Sequence, residues 1–476
     1  MDFELGAIIP QVRILTDQQI RKIHSAACEI LERTGTKIYS DKAKELLYSH
    51  GARIGQDHTV RIPSYLLDEA LSKAPQRIVL CNRDLERTMF LEDRNVHFVC
   101  NSDNLDYIDP YTRQRRPHTS QDAVQIAKIV DWTRHIDAVQ TGGFASDVDP
   151  EVADRVIIRQ MMLNCRKHIG FSCKSPDSLL DIIDMAAVVV GGHEELKYNS
   201  YIFHLQEPVS PLVHNDHSMQ ELMICAEHLI PLVYYPMPMG GATAPATAAG
   251  LLAQNHAESL TGLVVHQLTR PGAPFVYGGV ASVMDMATTR FCYGAPELHL
   301  WCSALADIAH YFNLPFWGTS GCVETQTVDE QAAVELALSI LMAGLSGSNL
   351  VHDNGLMDQA SLVCPEILLL ADEIMDIVKA ILKGVQVSDE TLALDVIHTV
   401  GSGGNFLAED HTLKHFRNFW RPKLFNRKEQ QPGEAILAFS ERLNQKARQI
   451  IETYEVPPLS DDKVKELRKL EKKWMS

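Results

Sequence analysis

No two cysteines of this chain stand in a Cys-x-x-Cys pair and no His-Glu-x-x-His occurs, so neither a closed zinc ribbon nor a zincin site is written locally. The ten cysteines are scattered, the usage expected of a reduced, cytoplasmic protein. A Gly-x-Ser-x-Gly elbow is missing too, because the serines after Gly318 and Gly344 break the spacing, which removes the usual serine hydrolase signal. There is no Walker A sequence. Nor is there an Asp-x-His-x-x-Gly loop to offer a histidine to cobalt, since Asp410 is followed directly by His411; were a cobalamin involved, another protein would have to carry it. Positive charge is scarce: 44 Lys and Arg against 61 Asp and Glu leave a net charge of -17, and the one basic cluster closes the chain as DDKVKELRKLEKKWMS, a solvated helix. Nucleic acid is therefore not the expected partner. No apolar run is long enough to span a membrane, and MDFELGAIIPQVRIL has no basic region followed by an apolar core.

What is present is an ordinary globular composition, 45% hydrophobic and 22% charged, sufficient for one large core and a smaller appended unit. Thr16 and Gln19 have the spacing of a capping box, and Ile20, Ile23, Ala27, Ile30 and Leu31 fall on one helical face behind it. With a second helix in DKAKELLYSHGA and a strand then helix in TVRIPSYLLDEALSKAP, residues 1–90 read as an α+β preface. From about residue 96 eight short apolar runs alternate with longer amphipathic stretches: HFVCN, AVQTGGF, HIGFSC, YIFHLQ, PLVYYPM, PFVYGGV, PFWGTSG and NLVHDNG. Eight βα units close into a (β/α)8 TIM barrel over 91–378, followed by a helical extension over 379–476. The competing doubly wound sheet lacks its phosphate fingerprint, since GSGGNF at 401–406 misses the third glycine and follows the last strand.

Chemistry in such a barrel sits where the strands end. The candidates there are Phe98, Asn101, Asp103, Ser146, Ser172, Cys173, His204, Gln206, Glu207, Tyr234, Tyr235, Met237, Tyr277, Trp317, Glu324, His352 and Asn354, a set rich in rings and poor in positive charge. Any one strand-borne ring is more commonly core than cage. Their convergence would form a cation–π box for a methylated amine, worth about 0.5–2 kcal/mol per good ring contact. Cys173 and Cys322 also fall at strand ends; a zinc-dependent reaction would place metal there, but a small buried hydrophobe is the commoner role and no metal is expected.

The run PMPMGGATAPATAAGLLAQNHAESLTGLVVHQLTRPGAPFVYGG, Pro236–Gly279, closely resembles the trimethylamine methyltransferase family, with its small-residue turn, Asn-x-Ala-Glu helix and Arg-Pro-Gly-Ala-Pro strand entry. DEQAAVELALSILMAGLSGSNLVHDNG, SDETLALDVIHTVGSGGNFLAEDHTL and FRNFWRPKLFNR extend the likeness over nearly the whole chain, as do the preface and DYIDPYTRQRRPHTSQD. The resemblance implies a barrel that takes a methyl group from an amine and hands it to Co(I) of a separate corrinoid protein. Members acting on trimethylamine carry pyrrolysine; this sequence uses only the twenty standard residues, which points to the branch similar to glycine betaine methyltransferase. Glycine betaine is thus the first expectation for substrate, with proline betaine, carnitine and γ-butyrobetaine as alternatives and a non-catalytic betaine-binding barrel as the rival class. His352, His204, Gln206 or backbone amides would take the betaine carboxylate, with Arg290 as the alternative. The small residues Gly240, Gly241, Ala242 and Thr243 would leave room for the corrin ring, with the amides of Gly240, Gly241 and Ala242 free to bond, unless they serve only tight packing.

Overall fold

Strands covered on both faces cannot alternate with polar residues, which is why the eight runs are apolar throughout. The structure, a computed structural model, describes residues 9–100, 103–140, 143–427, 429 and 437–475. Each run supplies one strand: β1 (His97–Cys100), β2 (Ile136–Gln140), β3 (His168–Phe171), β4 (Ile202–Gln206), β5 (Leu232–Tyr234), β6 (Phe275–Gly278), β7 (Phe316–Thr319) and β8 (Leu350–Asn354). They pair in parallel, in chain order, and β8 pairs β1 to close the barrel.

Side chains alternate in and out along each strand. Val99, Ala138, Phe203, Leu205, Val233, Val276, Trp317 and Leu350 point inward as one buried cluster. Gly170 makes room for Phe203, because a Cβ there would lie 2.4 Å from the Phe203 ring. The hairpin Ile78–Cys81/Arg87–Leu91 adds Ile78, Leu80, Met89 and Leu91 to the same cluster. Its amides at Cys81 and Arg83 bond the carbonyls of Ser200 and Arg166, just ahead of β4 and β3, so it plugs the end where strands begin. The opposite end is left for chemistry.

The outward set corrects two expectations. Phe98 packs in the layer between strands and helices, with Lys379 Nζ 5.7 Å from its ring centre. Tyr277 also points out, its hydroxyl 3.0 Å from His256 Nδ1 on the helix Ala248–Thr269. Period two puts both on the wrong face for the mouth.

Helix Ala248–Thr269 is buried nearly all round, since the helices Asp17–Glu29 and Ser64–Lys73 of the preface cover its outer side. Its Asn-x-Ala-Glu motif is a strut. Glu258 accepts from Ser210 Oγ at 2.7 Å and Leu212 N at 2.8 Å, while Asn255 Nδ2 donates to Gly278 O. The Thr16/Gln19 capping box starts the first helix, and strand Thr36–Ile38 pairs both with Thr59–Arg61 and with Val213–His214 beyond β4. After helix Pro365–Leu382, the short helices Asp389–Leu392, Leu394–Val400 and Asp410–His415 bury no residue. Phe439–Thr453 and Asp461–Trp474 return to the barrel's outer helices, the last against Pro176–Val190. Among the described residues no helix is long and apolar enough to cross a membrane.

Candidate functional site

At the mouth, Trp317 of β7 and His352 of β8 stack with ring centres 4.3 Å apart and planes at 23°. Tyr235, the residue after β5, closes on both, 6.1 Å from Trp317 and 5.8 Å from His352. The three rings come from adjacent or near-adjacent strands, each at an inward position. Trp317 Nε1 is buried without a hydrogen-bond partner.

Carboxylates converge on the same place. β8 has a register shift against β1 between Val351 and Asn354, and within it Asp353 takes a left-handed φ of 67°. This bulge turns Asp353 toward the mouth, where Thr319 Oγ1 donates to its Oδ2 at 2.7 Å. Asp103, past β1, accepts from Ser172 Oγ past β3 at 2.6 Å. Glu207, past β4, is reached by solvent yet enclosed by protein; that enclosure, then Asp103, then Asp353, pushes its carboxyl up to about 7. Burial, and behind it Glu207, Asp103 and Asp353, holds the Tyr235 phenol well above its usual range. Tyr293 is raised in the same way, by burial first and Asp353 next. Mutual electrostatic effects among Asp103, Glu207, Asp353, Tyr235 and Tyr293 mark them as one cluster, and none of them carries a positive charge.

His352 shares in this cluster without being free. Its Nδ1–H donates to Gly318 O at 2.7 Å, so its Nε2, 3.1 Å from Asp353 Oδ2, faces a carboxylate across one shared proton. Burial lowers the imidazole pKa and raises that of Asp353, so the pair resists carrying two charges. His352 therefore orients Asp353 and offers a ring face; its nitrogens are not donors for a substrate carboxylate.

Beside these groups a cavity of about 670 Å³ opens past β1 to β3, lined by Asp103, Phe144, Pro150, Ser172, Cys173 and Lys174 among others. That volume suits a small ligand. Lys174 is the cation on this wall, paired with Glu151 and 45% exposed.

The remaining candidates serve elsewhere. His204 and Gln206 turn away from the mouth and bind Glu221 of helix Asp216–His228, His204 Nε2 at 3.0 Å. Asn354 ties strands together, donating to Val99 O at 3.0 Å and Val351 O at 2.8 Å and accepting from Ser320 Oγ at 2.8 Å. Glu324 anchors the loop after β6 by accepting from Gly294 N at 3.0 Å. Arg290 is 59% exposed and 3.7 Å from Asp358. Asn101 lies outside the described residues. The amides of Gly241 and Ala242 are not free: they bond Ala244 O and Met239 O, both at 3.0 Å. Thr243 Oγ1 accepts from Met239 N at 2.9 Å, and Met284 N bonds Gly240 O. The turn is a closed ledge whose Gly241 and Ala242 stand exposed, with Met286 Sδ 4.0 Å from a Cβ built on Gly241.

Glu207, the residue after β4, is among the strand-end candidates; Asp353 and Tyr293 are the mouth residues absent from that set, because Asp353 depends on a bulge and Tyr293 on a loop past β6 with no strand to mark it.

Comparison with known proteins places this geometry. The family model for trimethylamine methyltransferase (MTTB) matches residues 4–474. The chain is 33% identical over 458 residues to "Trimethylamine methyltransferase MttB" of Desulfitobacterium hafniense (strain DSM 10664 / DCB-2), covering 96% of this chain and 92% of that one. It is 28% identical over 467 residues to "Glycine betaine methyltransferase" of Desulfitobacterium hafniense (strain Y51), covering 97% and 96%. Among solved structures, the Methanosarcina barkeri monomethylamine methyltransferase (MtmB) matches with a TM-score of 0.47 at 12% identity, over 94% of this chain and 95% of that one. A match that runs almost from end to end makes this barrel a member of the trimethylamine methyltransferase family.

Proposed function

We propose that this methyltransferase removes a methyl group from a quaternary amine, glycine betaine in the first place, and passes it to Co(I) of a corrinoid carried by a separate protein. The observation that carries the reading is the convergence of Tyr235, Trp317 and His352 with Asp103, Glu207 and Asp353 on one mouth, ring faces beside carboxylates. A quaternary nitrogen already bears its positive charge. Breaking its methyl C–N bond leaves the electron pair on nitrogen and a neutral amine, so no acid need act first. The corrinoid supplies the nucleophile.

The chain's own residues position and desolvate. Tyr235, Trp317 and His352 hold the methyl groups by their faces at about 0.5–2 kcal/mol per good contact. The carboxylates draw the cation in. Their strength is moderated by the proton that Asp353 shares with His352, which matters because the charge disappears as the methyl leaves and only what is stronger in the transition state accelerates the step. For a betaine, Lys174 on the wall of the neighbouring cavity, which Asp103 also lines, supplies the positive end for the carboxylate, the part that His204, Gln206 and His352 do not play. The exposed Gly241–Ala242 ledge fits a flat corrin face by shape rather than by free amides. The glycine betaine methyltransferase relative favours a betaine. Three carboxylates at one mouth favour a second reading, a quaternary amine without a carboxylate of its own, such as choline.

Mixing the protein with reduced cob(I)alamin and a panel of glycine betaine, proline betaine, carnitine, γ-butyrobetaine, choline and trimethylamine, while following methylcobalamin absorbance, tests the reading. Methylation from a quaternary amine but not from trimethylamine is the expected result. Binding of betaine without methylation would replace it with a binding barrel.

A further inference from the structure

Behind the cavity wall three donor side chains from three elements meet. Cys173 Sγ, a ring nitrogen of His204 and a Glu221 carboxylate oxygen all lie within 4.8 Å of one another, and among the described residues this is the one group of three or more such side chains so placed. Cys173 follows β3, His204 is on the outer face of β4, and Glu221 is on the helix after it. The His204 and Glu221 side chains are 0% and 1% exposed.

The hydrogen bonds around them are those of ligands already set in place. His204 Nδ1 lies 3.1 Å from Phe171 O, a carbonyl that can only accept, so Nδ1 carries the ring proton and Nε2 presents a lone pair. Glu221 Oε2 stands 3.0 Å from that nitrogen, and Gln206 Nε2 donates to the same oxygen. Fixing the tautomer by a backbone carbonyl and orienting the carboxylate by a neighbouring amide is how metal-binding side chains are supported. Two lone pairs in contact require a proton or a cation between them. A shared proton would account for His204 and Glu221; the Cys173 thiol, which donates to Ser175 O at 3.6 Å, stands beside them as the third potential ligand.

We propose that Cys173, His204 and Glu221 bind a zinc-class divalent cation. Thiolate, carboxylate and neutral imidazole around a doubly charged ion sum to zero, the arrangement a buried site tolerates. Cys173 also lines the 670 Å³ cavity, so the fourth position of a tetrahedral ion opens there to water or to an oxygen of the ligand. Binding displaces the thiol proton and the proton between His204 and Glu221. The proposal rests on this cluster alone and stands or falls independently of the substrate.

The full-length protein, freed of metal by a chelator and desalted, is equilibrated with Zn2+ and passed through gel filtration, and its zinc is measured by mass spectrometry. About one zinc per chain is expected, falling below a tenth of that in Cys173→Ser and Glu221→Gln. Co2+ added to the metal-free wild type is expected to give the visible bands of a tetrahedral centre and a near-ultraviolet thiolate charge-transfer band, the latter lost in Cys173→Ser. Circular dichroism identifies any variant that fails to fold, and the Co2+ titration of the wild type decides the matter without variants. Wild type that retains no zinc, or a Co2+ spectrum without the thiolate band, overturns the proposal and leaves a proton shared between His204 and Glu221.

Discussion

Replacing Glu207 with Gln tests the mouth most directly, because its carboxyl titrates where binding is measured. Enclosure by protein, Asp103 and Asp353 push it up to about 7. It is therefore roughly one-tenth ionised at pH 6 and nine-tenths at pH 8. If the ionised form is the one that receives a methylammonium, the apparent Kd scales with the reciprocal of the ionised fraction and falls about tenfold from pH 6 to pH 8, or about 1.4 kcal/mol. The sign is fixed: affinity rises with pH, and binding at pH 7 expels about half a proton into the buffer. Titration calorimetry with glycine betaine and with tetramethylammonium, in buffers of different ionisation enthalpy, reads both quantities. Glu207→Gln should bind more weakly at pH 8 with a Kd that no longer depends on pH over this range. A flat profile in the wild type, or the same slope in the variant, would refute the assignment of Glu207 to the cation.

The same shift acts on stability with the opposite sense. A carboxyl whose folded pKa is raised from 4.5 binds its proton more tightly in the native state, so the unliganded protein loses stability as pH rises from about 4.5 to 7, and Glu207→Gln should narrow that loss in thermal melts. Tyr235→Leu removes one ring from the cage and should weaken betaine binding about two- to thirtyfold, with tetramethylammonium affected alike. Lys174→Ala should weaken glycine betaine severalfold in calorimetry and leave choline unchanged. Gly241 has a φ of 89°, where a side chain costs about 1–2 kcal/mol; Gly241→Leu should slow transfer to the corrinoid protein more than it weakens betaine binding, and equal losses would argue against the ledge as a docking face. Asp353→Asn tolerates the left-handed backbone and should fold normally while binding the cation more weakly, whereas Asp353→Leu should also lower the melting temperature.

How far the sequence was legible follows from what each residue depends on. The strands were readable because their apolar runs need only local composition, and the family likeness extended that reading to the whole chain. Which face a side chain takes needs the register, and there the strand-end rule failed for Phe98 and Tyr277: each lies next in sequence to an inward residue, Val99 and Val276, and so points out. His204 failed for the same reason, flanked by inward Phe203 and Leu205. Proximity to a strand's end is thus a weaker guide to the mouth than parity along the strand, which separates all three of these residues from Trp317 and His352.

Asp353 marks where alternation itself gives out. Counting along β8, Leu350 is inward, Val351 outward and His352 inward, which would send Asp353 into the layer of helices, a poor place for a carboxylate. The register shift and the left-handed φ break the period at that residue and return its side chain to the mouth, beside Thr319 and His352. A non-glycine residue held at positive φ stores strain that only its surroundings can maintain. Here the surroundings are the functional ones: one end of the bulge is tied by Asn354 to Val99 and Ser320, and the other by His352 to Gly318. Asn354 and His352 thus take their place at the site through the backbone they hold, presenting between them the carboxylate that neither composition nor periodicity could assign.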